Sequence, residues 1–229
     1  MLKKRLIYGN GSMAKVYCSY LRNVVELCGF IVDDCCIDKN NDEFCSLPLV
    51  PLSKAKKIFN PRLYDITVAV GYREMNELRK QKTNDLKNRG YSIAGYIDTH
   101  FILHDDVAIG EGCVILENVS IHPGSRIGDG VFIAGNNNIG HDCFINDYCW
   151  INGGVSIAGG TTVGECSFLG VNSTLTNGIT IGKKNFISAG AIINRNTDND
   201  AVYLSESAVK FKLNSNKFLT FTQNIHQQN

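Results

Sequence analysis

Residues 139–157 read "IGHDCFINDYCWINGGVSI", with an aliphatic residue at every sixth position. Extending the step in both directions gives Leu103, Ile109, Ile115, Ile121, Ile127, Ile133, Ile139, Ile145, Ile151, Ile157, Val163, Leu169, Leu175, Ile181, Ile187 and Ile193, with no residue inserted or deleted. Four places after the aliphatic come mostly small residues, among them Cys113, Ser125, Cys143, Cys149, Thr161 and Ser173. A helical period of 3.6 cannot make this pattern, and neither can simple strand alternation. A period of six punctuated by Gly, Asn and Asp fits a parallel β-solenoid of short strands and tight corners, one aliphatic side chain pointing inward per side. Three sixes make one triangular coil, so residues eighteen apart stack about 4.8 Å from each other. The spacing does not set the hand of the coil, and parallel crossovers are normally right-handed.

The front half has a different grammar. "KKRLIYGNGSMAKVYCSYL" predicts a strand, a glycine turn and an amphipathic helix carrying Val16, Tyr17, Tyr20, Leu21 and Val24. "LCGFIVDDCC" reads as a second strand, "YDITVAVGYREMNELRK" as a third strand, a Gly71 turn and a helix to about Asn88, and "YSIAGYID" as a fourth strand leading into the solenoid. Strands alternating with helices imply a small parallel α/β unit. Its ligand edge should gather Gly9–Met13, Asp33-Asp34 and Gly71–Arg73 at the carboxyl ends of the strands. The turn fits G-x-G-x-x-A with acids about twenty residues on, as in a dinucleotide fingerprint. An open helix N-terminus serves any phosphate-bearing ligand equally well, and four strands are few for a full dinucleotide fold.

Composition sets the outer bounds. Across 229 residues, hydrophobic content is 44%, charge 20% and net charge +1, an ordinary globular balance without pull toward nucleic acid or membrane. Residues 1–97 hold sixteen Lys/Arg against ten Asp/Glu, whereas residues 98–197 hold four against nine. A basic front half suits a phosphate-bearing ligand, and equally a solvated surface. The nine cysteines form no CxxC and no Cys/His array, so neither a zinc site nor a disulfide framework is expected. No metal is expected. With no apolar run long enough to span a membrane and no signal-peptide pattern at the start, the expectation is a cytoplasmic protein with reduced thiols.

The Gly-rich turn "YGNGSMAKV", the "DD" after strand two, "VAVG" after strand three and "GHDC" within the solenoid occur in the order found in bacterial nucleotide-sugar acetyltransferases. Over residues 4–203 the chain resembles this family, typified by the UDP-4-amino-sugar N-acetyltransferase of protein glycosylation, the sialic acid O-acetyltransferase and the GDP-perosamine N-acetyltransferase. The resemblance implies an α/β Rossmann-like N-terminal domain followed by an all-β left-handed parallel β-helix. Boundaries follow at 1–97, 98–203 and a C-terminal tail at 204–229. It also implies a homotrimer, acetyl-CoA in the groove between subunits, and a UDP-, GDP- or dTDP-linked amino sugar on the front domain. By motif position His141 would be the general base and Asp142 the acid that orients it. Sugar-nucleotide contacts would fall on Gly11, Ser12, Met13, Asp33, Asp34, Gly71 and Arg73, and acetyl-CoA contacts near Trp150, Gly159, Val171 and Ala189.

Three places depart from the family pattern. Trp150 stands where a second histidine is usual, Ser12-Met13 replaces Gly-His in the first turn, and "LSESAVKFKLNSNKF" replaces a "GVPAK" ending. Alternation turns Trp150 outward, which suggests contact with the pantetheine arm or the acceptor, or a place in the trimer interface. Outward apolar groups at Phe132, Phe144, Trp150 and Phe168 are expected to call for a partner subunit.

The titratable pair in the opening stretch now has a chemical purpose. A sugar ammonium must lose a proton before it attacks a thioester, and histidine titrates near neutral pH. A neighbouring carboxylate fixes the tautomer and stabilises the imidazolium. Adding eighteen to 141 gives Gly159, whose backbone N–H is placed to donate to the oxyanion. From spacing alone, a surface histidine capping a corner explains the pair as well; the resemblance favours catalysis. Cys143 falls on an inward position, so direct transfer is expected rather than an acyl-enzyme. His100, His104 and His122 show no aligned partners, and "NNN" at 136–138 suits either an acceptor pocket or an Asn ladder. O-acetylation of a sugar hydroxyl is the nearest rival reading, and a non-catalytic trimeric ligand-binding solenoid the rival of another class.

Overall fold

The computed structural model describes residues 4–37, 42–104 and 106–226. In the front part, β1 (Lys4–Tyr8), β2 (Glu26–Val32), β4 (Leu47–Pro51), β5 (Asp65–Val68) and β6 (Ser92–Ile93) form a parallel sheet in the order β4-β2-β1-β5-β6. A short antiparallel β3 (Glu43–Phe44) pairs with β4 at one edge. Helices α1 (Ser12–Leu21), α2 (Leu52–Ile58) and α3 (Glu77–Asn88) follow β1, β4 and β5. The unit β4–α2 is one more than the sequence suggested. Pro48 and Pro51 hide the strand, and both are tolerated because β4 lies toward the edge, with Pro51 capping α2.

Alternation along β1 divides the core. Ile7 joins Ala14, Tyr17, Cys18 and Leu21 of α1, whereas Leu6 and Tyr8 join Leu52 and Ala55 of α2 and Leu86 of α3. Helix α1 buries Ala14, Tyr17, Cys18 and Leu21 and leaves Val16 exposed, as it does Val24 beyond its end.

From Tyr96 onward every strand is two residues long, from Tyr96–Ile97 to Val202–Tyr203, and these strands stack in three parallel sheets of seven, six and five. The stacked sheets fit a left-handed β-helix. Register is kept at eighteen up to Ile193, Ile115 pairing with Ile133, Ile133 with Ile151 and Ile151 with Leu169, and shortens to sixteen at the last rung, where Phe186 pairs with Val202. The inward aliphatics from Ile115 to Ile187 are fully buried or nearly so. Small corner residues fill the gaps between them. Ser125 Oγ donates to the Gly140 carbonyl and accepts from the Cys143 N–H, so the inward hydroxyl is satisfied.

The seven-stranded face carries an outward ladder of Tyr96, Val114, Phe132, Trp150, Phe168 and Phe186. Helix α1 and its sheet pack directly on it: Val114, Phe132, Trp150 and Phe168 share one core with Ile7, Tyr17 and Leu21. This corrects the expectation that Phe132, Trp150 and Phe168 mark a subunit interface. The partner of this face is the chain's own front domain, and of the four only Phe144, 45% exposed on another face, stays open.

Polar groups lock the seam. Asn76, in the left-handed region at the start of α3, donates to the Cys166 carbonyl at 3.0 Å. The buried Arg79 donates to Asn76 Oδ1, Tyr148 O and Cys149 O and lies 5.1 Å from the centre of the Trp150 ring. Lys80 pairs with Glu165, and Lys184 with Glu77. Beyond residue 203 the chain runs exposed to α4 (Ser215–His226), and no described helix is long and apolar enough to cross a membrane.

Candidate functional site

Ile139 lies in the six-stranded sheet and Ile145 in the five-stranded one, so His141 and Asp142 occupy the corner between those two faces. Asp142 takes a positive φ of 54°, and its N–H donates to the Pro123 carbonyl one coil below. The tight corner throws both side chains outward, 69% and 67% exposed. Nδ1 of His141 meets Asp142 Oδ2 at 2.8 Å. Because a carboxylate oxygen accepts, Nδ1 carries the proton and Nε2 is left as an acceptor facing outward.

One coil up, Gly159 forms the floor under the ring. A Cβ at 159 would lie 2.5 Å from His141 Nε2 and 2.8 Å from Cδ2 and Cε1, so glycine is what lets the imidazole lie there. The His141 carbonyl is held by Gly160 N–H at 2.8 Å, while the Gly159 N–H has no hydrogen-bond acceptor among the described residues. An imidazole, the carboxylate that orients it and an unengaged backbone donor thus meet at one corner. Cys143 is fully buried, and burial pushes its thiol pKa up; Cys149 is raised to about 12 for the same reason. Neither is a thiolate nucleophile.

The second site is a cleft of about 490 Å³ at the carboxyl ends of β1, β2 and β5. Gly11, Ser12, Met13, Asp33, Gly71 and Arg73 all line it. Gly9 is fixed by close approach of the backbone: its φ is +126° and a Cβ would sit 2.8 Å from the Ala69 carbonyl oxygen. Gly11 has open space where a Cβ would be, and no side chain caps α1, so the helix N-terminus faces the cleft with its amides open. Asp34 does not line the cleft. Its Oδ1 accepts from Ser53 N–H at 3.0 Å in the first turn of α2, and bonds from the Ser53 hydroxyl and this N–H hold its carboxyl below the usual range.

Sequence reasoning did not find Tyr8 and Lys82. Tyr8 donates to Asp33 Oδ1 at 2.6 Å, and Lys82 pairs with Asp33 Oδ2 at 2.6 Å. Burial works against ionisation of Asp33, but the Lys82 and Tyr8 bonds outweigh it and its pKa falls below the usual aspartate value. Nothing in the run "RKQKTN" distinguishes Lys82 from its neighbours, because only the docking of α3 on β5 and β6 brings it to Asp33.

Trp150 lies on the face across the prism from the His141 corner. It is 3% exposed, stacked on Phe132 at 4.0 Å between ring centres and edge-on to Tyr72 at 5.6 Å. That overturns both expectations for it: the ring fills the seam with the front domain and reaches neither a pantetheine arm nor a second subunit. Val171 and Ala189 stack eighteen apart on a third edge, between the seven- and six-stranded faces. Within one chain they do not meet His141. Among the described residues, no group of three or more His, Cys, Asp or Glu is placed to hold a metal.

Comparison with solved structures finds perosamine N-acetyltransferase from Caulobacter crescentus, in complex with CoA and GDP-perosamine and with one histidine replaced by asparagine. It is 25% identical, with a TM-score of 0.77 over 88% of this chain and 93% of that one. PerB from Caulobacter crescentus, also with CoA and GDP-perosamine, is 26% identical over 88% and 94%, with a TM-score of 0.77. The chain is an acyltransferase with the fold of the hexapeptide-repeat nucleotide-sugar enzymes it resembles. The acetyltransferase domain of PglB from Neisseria gonorrhoeae FA1090, in complex with acetyl coenzyme A, shares the fold at 24% identity and a TM-score of 0.76, over 88% and 96%. Models of protein families and curated proteins give no match to this acyltransferase.

Proposed function

We propose that the protein is an acetyl-CoA-dependent N-acetyltransferase acting on the amino group of a nucleotide-linked amino sugar, in bacterial glycan, lipopolysaccharide or glycoprotein synthesis. One observation carries the reading: an imidazole oriented by a carboxylate at 2.8 Å lies across a glycine whose N–H is unengaged. That the structurally similar perosamine enzyme is seen with CoA and GDP-perosamine supports the choice of substrates.

In this reading His141 Nε2 takes the proton from the acceptor ammonium. The freed amine attacks the thioester carbonyl, and the Gly159 N–H receives the charge that develops on its oxygen. Collapse breaks the C–S bond, the imidazolium returns its proton to the departing CoA thiolate, and the second proton on the acylated nitrogen is released to water, leaving the neutral amide. Asp142 holds the tautomer and offsets the imidazolium charge. Transfer is direct, in keeping with the buried thiols.

Residues 1–97 are the Rossmann-like domain that holds the sugar nucleotide, with the diphosphate on the open amides of Ser12 and Met13 and with Gly71 and Arg73 across the cleft. Residues 98–203 are the catalytic β-helix, and 204–229 a tail near the CoA end. The cleft lies on the seam side of the prism and His141 on the opposite corner, so the acceptor bound by one chain is presented to another. A homotrimer with acetyl-CoA between copies, touching Gly159 on one and Val171 and Ala189 on the next, meets that demand. Nine free thiols suit a reducing cytoplasm.

Incubation with acetyl-CoA and a panel of amino and hydroxy nucleotide sugars, with free thiol as readout, is the test. Release of thiol only with an amino sugar is the expected result. Release with hydroxy sugars alone would make it an O-acetyltransferase, and none with any acceptor would overturn the reading.

A further inference from the structure

The edge that carries His141 holds more imidazole than the chemistry uses. His104 and His122 occupy equivalent places one coil apart, their rings 5.9 Å between centres and 36° from parallel. The next place in that column is Gly140, the residue before His141. His122 N–H donates to the Ile139 carbonyl at 2.9 Å, and Asp142 N–H to the Pro123 carbonyl at 3.0 Å. The pairs His122-Pro123 and Gly140-His141 are therefore consecutive rungs of one edge, about 4.8 Å apart.

His122 Nε2 meets Asn138 Oδ1 at 3.1 Å. A carbonyl oxygen only accepts, so Nε2 carries the proton and Nδ1 remains an acceptor. The Asn138 amide nitrogen has no partner among the described residues and remains a donor. One free acceptor and one free donor on a single bonded pair match a hydroxyl, which gives one hydrogen bond and takes another. Neither a thioester nor a phosphate offers that combination. Position along the prism agrees. Gly159, Val171 and Ala189, assigned above to the acetyl donor, lie on the C-terminal side of His141, whereas His122 and Asn138 lie on the N-terminal side, left for the acceptor.

We infer that His122 and Asn138 are a specificity pair that grips a ring hydroxyl of the acceptor sugar beside the amine to be acetylated, with His104 bracing the His122 ring. The inference rests on the acetyl-transfer reading. It is tested by steady-state kinetics of the wild type, Asn138→Ala, His122→Leu and His122→Gln on an amino nucleotide sugar, with melting temperature as the check on folding. Loss of the hydroxyl contact should raise the KM for the sugar nucleotide about tenfold in Asn138→Ala and His122→Leu, the worth of one such bond. The KM for acetyl-CoA and the melting temperature should stay put. His122→Gln keeps an amide N–H for Asn138 and should recover most of the loss. A deoxy acceptor lacking the neighbouring hydroxyl should be used equally by the wild type and Asn138→Ala. Unchanged sugar-nucleotide KM values alongside normal wild-type turnover would overturn the inference and leave the reading intact. A raised acetyl-CoA KM instead would also overturn it, by moving the pair to the donor. No transfer by the wild type would overturn the reading and the inference together.

Discussion

A methyl group at residue 159 would come within 2.5 Å of His141 Nε2. The imidazole is free to swing outward, so Gly159→Ala should fold normally yet lose turnover by about tenfold or more, because the base no longer points where the amine arrives. His141→Ala should cost about two to four orders of magnitude in turnover while calorimetry finds acetyl-CoA binding little changed. In the other site, Asp33 ionises more readily than an ordinary aspartate, held by Lys82 and Tyr8. A depressed folded-state pKa adds stability that is complete above the ordinary aspartate range and is lost as pH falls through the lower folded value. Melting temperature should therefore decline with acidification below that range, and Asp33→Asn should flatten that part of the profile. A wild-type curve indifferent to acid there would remove the network from the stability account.

At the scale of elements, the seam decides how the front domain is held. Among the described residues Arg79 has no carboxylate partner; its guanidinium is spent on Asn76 Oδ1 and two carbonyls of a solenoid corner. Arg79→Ala leaves these buried acceptors unanswered and should cost about 3 kcal/mol in urea unfolding. Trp150→Ala empties a site between Phe132, Tyr72 and Arg79 and should cost about 3–5 kcal/mol. Turnover of the protein that stays folded should change little, since the ring itself lines neither the cleft nor the His141 corner and meets the cleft only through Tyr72. The solenoid was legible because its period is set by backbone stacking, which every coil repeats. The cleft was legible from the glycine turn and Asp33, whose conformational demands are local. Asn76, Arg79 and Lys80 were not, because their partners lie 69 to 91 residues away and no local pattern encodes the pairing. Trp150 was misread for the same reason: alternation says that it points outward, and only tertiary docking says onto what.

For the whole molecule, the placing of cleft and corner on opposite sides of the prism predicts shared sites. Sedimentation at micromolar concentration should find a trimer, and a monomer with full activity would exclude shared sites. A sharper check mixes two inactive proteins, His141→Ala and a cleft variant such as Gly11→Asp. If each site draws its base and its cleft from different chains, random reassortment should restore roughly a quarter of wild-type activity. Sites contained within one chain would restore none.

The register of eighteen that runs to Ile193 has a bearing on protein engineering. Each rung is fixed by the rungs above and below it, and among the described residues the front domain's contacts and shared core reach along the prism as far as Lys184 and Phe186. Above that point nothing sets the number of coils. A tandem copy of residues 176–193 inserted after Ile193 should therefore splice in as one more floor, leaving circular dichroism and acetyl transfer intact. Six extra residues inserted between His122 and Asn138 should instead advance all later coils by a third of a turn, carry Phe132 and Trp150 or their successors off the seam, and leave an unfolded or aggregating chain.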